Sequence, residues 1–229
     1  MNAVSPAEWF VSPTGAQNAT GSVDRPFGSL QEALDRQDLA DFDSIVLADG
    51  EHTKPFATRA PLTLRGLTIR SANGSRAVTI ADADTALIAC QSLSRASPAS
   101  LTISGITFAR GQPSLLATNC NLTLSDIAAI EVELPAESAA AHAIVRCAAG
   151  SACTLLDAVL LGCSLTGSST SLIASSAGLL RLERVTVSAT TLLGDVAWDA
   201  EAAAVLATSG RVELRSEERR VGKECRSRW

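Results

Sequence analysis

Leu62-Thr-Leu64-Arg-Gly66-Leu67-Thr-Ile69 returns 39 residues later as Leu101-Thr-Ile103-Ser-Gly105-Ile106-Thr-Phe108. Within each phrase the apolar residues alternate, and the phase slips by one residue across the glycine. Period two is the signature of a strand, whose successive side chains point to opposite faces; a helix needs a period of 3.6. A small or turn-prone residue at the slip lets the chain bend between two short strands while both keep their apolar side inward.

The phrase recurs less perfectly as Leu122-Thr-Leu124-Ser-Asp126-Ile127, Thr154-Leu155-Leu156-Asp157-Ala158-Val159 and Leu180-Arg-Leu182-Glu-Arg184-Val185-Thr-Val187, and Val212-Glu-Leu214 starts one more. A second phrase precedes each return: Leu87-Ile88-Ala89-Cys90, Leu115-Leu116-Ala117-Thr118, Ile144-Val145-Arg146-Cys147, Leu172-Ile173-Ala174-Ser175 and Val205-Leu206-Ala207-Thr208. Two strand phrases in fixed order, at steps inside the window of repeat proteins, predict a stack in which strand pairs on strand in parallel about 4.8 Å apart. With 46% hydrophobic residues but only 3% aromatics, the interior must be filled by Leu, Ile, Val and Ala, which stack well in repeated layers.

Upstream, Trp9-Phe10-Val11 reads as a strand, Gly15 to Gly21 as a polar loop, and Ser29 with Glu32 as the capping box of a short helix whose apolar face is Leu30, Ala33 and Leu34. Such a helix is suited to cover the open end of a stack of strands.

These stretches carry a family resemblance. The run W-F-V-S-P-T-G from Trp9, G-S-V-D-R-P-F-G-S-L-Q-E-A-L from Gly21, D-S-I-V-L-A-D-G from Asp43 and L-T-L-R-G-L-T-I from Leu62 resemble the opening of right-handed parallel β-helix proteins of the pectin-lyase-like superfamily. The resemblance implies an all-β solenoid with an N-terminal capping helix: a leader over 1–7, a cap over about 8–42 and coils over about 43–214. The superfamily holds polysaccharide lyases, glycoside hydrolases and surface proteins without assigned activity, so the fold does not transfer a function.

The last stretch, Arg215 to Trp229, breaks with the Ala/Leu/Ser/Thr-rich text before it and loses all hydrophobic period. It resembles the in-frame translation of a short-read sequencing adapter beginning AGATCGGAAGAGC, which makes 215–229 an expected non-native tail and predicts that the natural chain continues past Leu214. It holds six of the 19 basic residues and three of the 24 acidic ones, so the body is more acidic than the net charge of −5. An acidic body with Lys54 as its single lysine offers no basic stripe for phosphates, which argues against nucleic acid and anionic membrane surfaces as partners. No apolar run reaches membrane-spanning length, and no signal peptide is visible in Met1 to Phe10.

Candidate chemistry is sparse. Asp82 and Asp84 would share one face of a strand and offer two oxygen ligands, a calcium site only under a lyase reading; the competing expectation is a solvated loop between Ile80 and Leu87. Asp126 and Asp157 sit at pivots and read as turn residues whose carboxylates accept backbone hydrogen bonds. His52 follows Gly50-Glu51 in an expected turn, and neither it nor His142 has Cys or His neighbours at ligand spacing. Cys147 and Cys153 flank a short loop that one disulfide could close, while Cys90 and Cys163 read as small buried side chains. Asn18, Asn73 and Asn121 open glycosylation-type sequons, compatible with export.

The resulting expectation is a non-enzymatic extracellular or cell-surface scaffold, without cofactor, whose lateral faces bind polysaccharide or other surface macromolecules. The alternative is a polysaccharide lyase or glycoside hydrolase whose catalytic coils lie beyond Leu214. Oligomeric state is left unassigned.

Overall fold

The computed structural model describes residues 6–15, 19–54, 56–58, 61–74, 76–92, 98–134, 143–148, 150–166, 171–188, 191–193 and 203–215. It is mostly β, and its named strand pairs are parallel throughout. The strands form three ladders that the chain visits in the same order.

The first ladder stacks Glu8–Val11, Ser44–Leu47, Leu67–Ser71, Ser100–Ser104, Asn121–Ser125 and Ala152–Leu156, then the second halves of Ser171–Glu183 and Ala203–Arg215. The second takes Gly50–His52, the starts of Val78–Gln91 and Ile106–Thr118, then Ala128–Ile130, Val159–Leu161 and Thr186–Ser188. The third takes Phe56–Ala57, the ends of Val78–Gln91 and Ile106–Thr118, then Val145–Cys147 and the first halves of Ser171–Glu183 and Ala203–Arg215. Glu133–Leu134, Ser164–Thr166 and Thr191–Leu193 form a small separate sheet.

Alternation gives each ladder a dry face. On the first, Ile45, Ile69, Ile103, Leu124, Leu155 and Leu182 stand in one register column and are all buried. On the third, Ile88, Leu115, Val145 and Ile173 do the same. These columns and their neighbours merge into one hydrophobic cluster running from Val11 to Leu182. Burying a Leu or Ile is worth about 1.5–3 kcal/mol, so a column of six residues outweighs any surface ion pair in the molecule.

The edge of the first strand is not left bare. Phe10 N–H donates to the Gly21 carbonyl at 2.8 Å, Phe27 N–H to the Phe10 carbonyl at 2.8 Å and Ser12 N–H to the Phe27 carbonyl at 2.9 Å. The helix Leu30–Leu34 follows, with Ser29 as N-cap accepting from the Glu32 amide at 3.3 Å, as the sequence predicts. The Glu32 carboxylate returns to the Gly28 N–H and the Ser29 hydroxyl rather than to the Ser29 amide. Its buried residues are Leu30 and Ala33, and it packs against Glu8–Val11 and Phe56–Ala57. Among the described residues no helix is long and apolar enough to cross a membrane.

One expectation is corrected in register. Leu67-Thr-Ile69 pairs with Leu101-Thr-Ile103, not with Ile106-Thr-Phe108, and Leu62 bridges to Cys90 at the end of the third ladder. The opening phrase contains two similar triplets five residues apart, so aligning it by text selects the wrong one. Gly66 and Gly105 are therefore bends at different corners: Gly66 enters the first ladder and Gly105 leaves it. The segment 80–87 is also corrected, because Val78–Gln91 is a continuous strand with a register irregularity between Ala83 and Ala86, not a loop. His52 closes the strand Gly50–His52 and is buried instead of lying in a turn.

Candidate functional site: the charged pivot edge

The corner between the first and second ladders is made the same way in four successive layers. Gly105, Asp126, Asp157 and Arg184 all hold positive φ, between 50° and 69°. Each of the first three donates its N–H to the layer above: Gly105 to the Ser125 carbonyl at 3.1 Å, Asp126 to Leu156 at 2.9 Å and Asp157 to Glu183 at 3.1 Å. Left-handed backbone is disfavoured for residues with a Cβ, and Gly and Asp tolerate it best. Arg184 adopts it without that advantage and is held by its side chain.

The pivot stack brings charged groups of separate repeats into one row. The Arg184 guanidinium reaches Asp157 with both Nε and Nη2 (2.5 and 2.9 Å) and Glu183 with Nη1 (2.7 Å), and Arg181 Nη2 donates to the other Glu183 oxygen at 2.7 Å. Arg76, from an earlier layer, joins the same row. Its Nε lies 2.7 Å from Asp126 as an ion pair without hydrogen-bond alignment, and its Nη2 donates to the Asp157 carbonyl. The Asp157 carboxyl is held below the usual range by its hydrogen bonds with Arg184, and Glu183 by those with Arg181 and Arg184.

This arrangement decides what the edge can do. Asp126 and Asp157 are brought into adjacent layers, yet their carboxylates take guanidinium groups, not backbone N–H groups as expected, while their own N–H groups donate upward. A carboxyl held ionised by a bidentate arginine has no proton to give a leaving group, so Asp157 is unsuited to general-acid work at neutral pH. Arg181, Glu183 and Arg184 stand in the sequence only as members of a repeat phrase, and Arg76 carries no signal there. The legible signal was Arg184 itself, a bulky charge where Gly or Asp stands in the other layers.

A cavity of about 40 Å³ lies near the first end, lined by Ser29, Leu47, Glu51, His52, Lys54 and Phe56 among others. His52 Nε2 lies 2.9 Å from the Ala48 carbonyl, and burial pushes its pKa down, so the ring is neutral and Nε2 carries the proton. Glu51 is paired with Arg110. The volume suits a few water molecules and no sugar ring.

The remaining sequence candidates separate. Asp82 and Asp84 lie at alternate positions along Val78–Gln91, and their side chains fall outside what the structure describes. Among the described residues no group of three metal-ligating side chains gathers. Asn73 is exposed and bonded to Asp49, Asn121 is exposed on Asn121–Ser125, and Asn18 and His142 lie outside the described residues.

The cysteine expectation is overturned. The disulfide joins Cys90 to Cys120, with Cα atoms 6.1 Å apart, and Cys147 and Cys153 are free buried thiols. Cys90, expected as a filler, is thus bridged, whereas Cys163 is the buried thiol anticipated. Cys147 Sγ donates to the Leu179 carbonyl at 3.5 Å. The Cys153 thiol, hydrogen-bonded to Cys147 and buried, is pushed well above the ordinary cysteine range. Closeness in sequence favours Cys147 with Cys153, which lie against each other as thiols, while layer stacking bridges two cysteines 30 residues apart.

Comparison with known proteins adds little. No protein-family model matches the chain. No curated protein matches it either. A solved structure titled rhamnogalacturonan lyase aligns at TM-score 0.43 and 8% identity, over 92% of this chain and 62% of that one. The chain thus spans less than two thirds of that neighbour's length, and a likeness this loose carries no inference about activity.

Proposed function

We propose that the chain is a right-handed parallel β-helix, with the helix Leu30–Leu34 over its first end, and that it serves outside the cell as a scaffold that binds polysaccharide without cleaving it. Three parallel ladders visited in constant order support the solenoid. Handedness rests on the general rule that parallel crossovers in one sheet are right-handed in about 98% of cases. The Cys90–Cys120 disulfide supports an oxidising compartment.

The observation that carries the non-catalytic reading is the pivot edge. The carboxylates that stacking brings together there are ion-paired to arginines and serve the layer-to-layer joint. The test is incubation of the purified chain with a panel of neutral and acidic polysaccharides, following both retention and the release of reducing ends or unsaturated sugars. Retention without release is the expected result. Release that scales with protein concentration would instead favour a lyase or hydrolase.

A further inference from the structure

Two buried thiols meet inside one coil. Cys147 ends the third-ladder strand Val145–Cys147, and Cys153 lies at the start of the first-ladder strand Ala152–Leu156. The turn between them is closed by the Ser151 N–H on the Ala148 carbonyl at 3.1 Å, and both cysteines are fully buried as free thiols. Their side chains share a hydrogen bond. Register stacks Cys147 between Ala117 and Ser175, and Cys153 between Leu122 and Leu180, all of them buried. The Cys147 sulfur is closely enclosed, since a Cβ on Gly178 would sit 2.9 Å from it.

A second observation falls at the same place. Ser175 is 2% exposed, and its Oγ has no hydrogen-bond partner, although it stands beside Cys147 in the adjacent layer. A buried hydroxyl without a partner costs stability, and native interiors hold few of them. A thiolate at Cys147 would give this hydroxyl an acceptor.

We infer that Cys147 and Cys153 form a binding site for a single soft monovalent cation, copper(I) in chemical class, held between two thiolates with Ser175 as supporting donor. The ligand set decides the class. Thiolates select soft ions such as copper(I), whereas structural zinc takes four ligands and calcium six to eight oxygens. Among the described residues no third His, Cys, Asp or Glu gathers with the pair, which suits a two-coordinate ion. Binding is an exchange without redox change: the ion enters as copper(I), two S–Cu bonds form, and both thiol protons leave to solvent. The hydrogen bond given up by Cys147, to the Leu179 carbonyl at 3.5 Å, is a weak one. Two thiolates and one monovalent cation leave a single negative charge, which the Ser175 hydroxyl is placed to meet.

The experiment uses the full chain carrying Cys225→Ser, which removes the tail thiol, with copper(I) supplied as its bicinchoninate complex under ascorbate and argon. Loss of the complex's colour reports transfer to the protein, and sulfur coordination is read from the copper X-ray absorption spectrum. One equivalent bound by two sulfur ligands is the expected result. Two ligands held in one frame exceed a single one by about 10²–10⁴, so Cys147→Ala or Cys153→Ala should each weaken binding at least about a hundredfold. Ser175→Ala should weaken it a few-fold, and Cys163→Ala, at a thiol outside the pair, should leave it unchanged. Undiminished binding in a folded Cys147→Ala or Cys153→Ala variant overturns the site. So does failure to take copper from bicinchoninate, or a spectrum with fewer than two sulfur ligands, a readout that needs neither alanine variant to fold. Peptide mapping that finds Cys147 joined to Cys153 in the folded protein would overturn it as well, with a disulfide in place of the metal.

Discussion

Replacing Leu124 by alanine should cost about 4 kcal/mol, while replacing Thr123, its neighbour in the same strand, by valine should change stability by less than about 0.5 kcal/mol. Leu124 is fully buried and stands in register between Ile103 and Leu155, themselves at 1% and 0% exposure. Leucine-to-alanine changes in cores cost about 2.7–5.0 kcal/mol, and the spread reflects how far the walls close on the cavity. Here the layers above and below are held at ladder spacing by backbone hydrogen bonds on both sides, so closure is restricted and the upper part of the range applies. Set against a typical stability of about 5–15 kcal/mol, the loss is readily measured by urea denaturation followed by circular dichroism. A cost below about 1 kcal/mol at Leu124, or an equal cost at Thr123, would refute the assignment of inward and outward faces.

Reducing the Cys90–Cys120 bridge, which closes a loop of 30 residues, should lower stability by about 3–4 kcal/mol; thiol titration after denaturation should then count two additional cysteines, and an unchanged count contradicts the pairing. Gly105→Ala should destabilise by about 1–3 kcal/mol in a melting experiment, because φ is +69° and a new Cβ would sit 3.0 Å from the Ser71 Cβ and 3.2 Å from the Gly74 backbone; a neutral result would contradict the bend. Asp157 and Glu183 have lowered pKa values, so the unfolded chain binds more protons in acid. Their contribution is present above the ordinary carboxylate pKa of about 4 and is lost as pH falls through the lowered values. Asp157→Asn should therefore flatten part of the acid-side fall in a denaturation series, and an identical pH profile would contradict the ion pair.

Strand character, parallel pairing and the order of the ladders were legible because inward columns must repeat an apolar residue in every layer. Ile103 and Leu124 carry that signal openly, as do Gly105 and Asp126 at the bend. Register was less legible. Leu62 to Ile69 holds two equivalent triplets, and only the backbone pairing of Leu67 with Leu101 distinguishes them. In the third ladder the textual phrases slide by one residue, since Ile88 pairs with Leu115 rather than with Leu116, a step that would turn every side chain over if the text were followed. The disulfide and the Arg76 bridge were hidden for the same reason: both join groups that are distant in the chain and adjacent only once layers stack. The Ser29 cap was legible because its geometry is local.

Spin labels paired between Thr68 and, in turn, Thr102, Thr123 and Thr154 test the stacking most directly, since the three partners lie one, two and three layers away in the same column. The account predicts dipolar distances that rise in that order by steps of about 4.8 Å. Distances that fail to rise in sequence, or that place Thr154 nearer to Thr68 than Thr102 is, would contradict it.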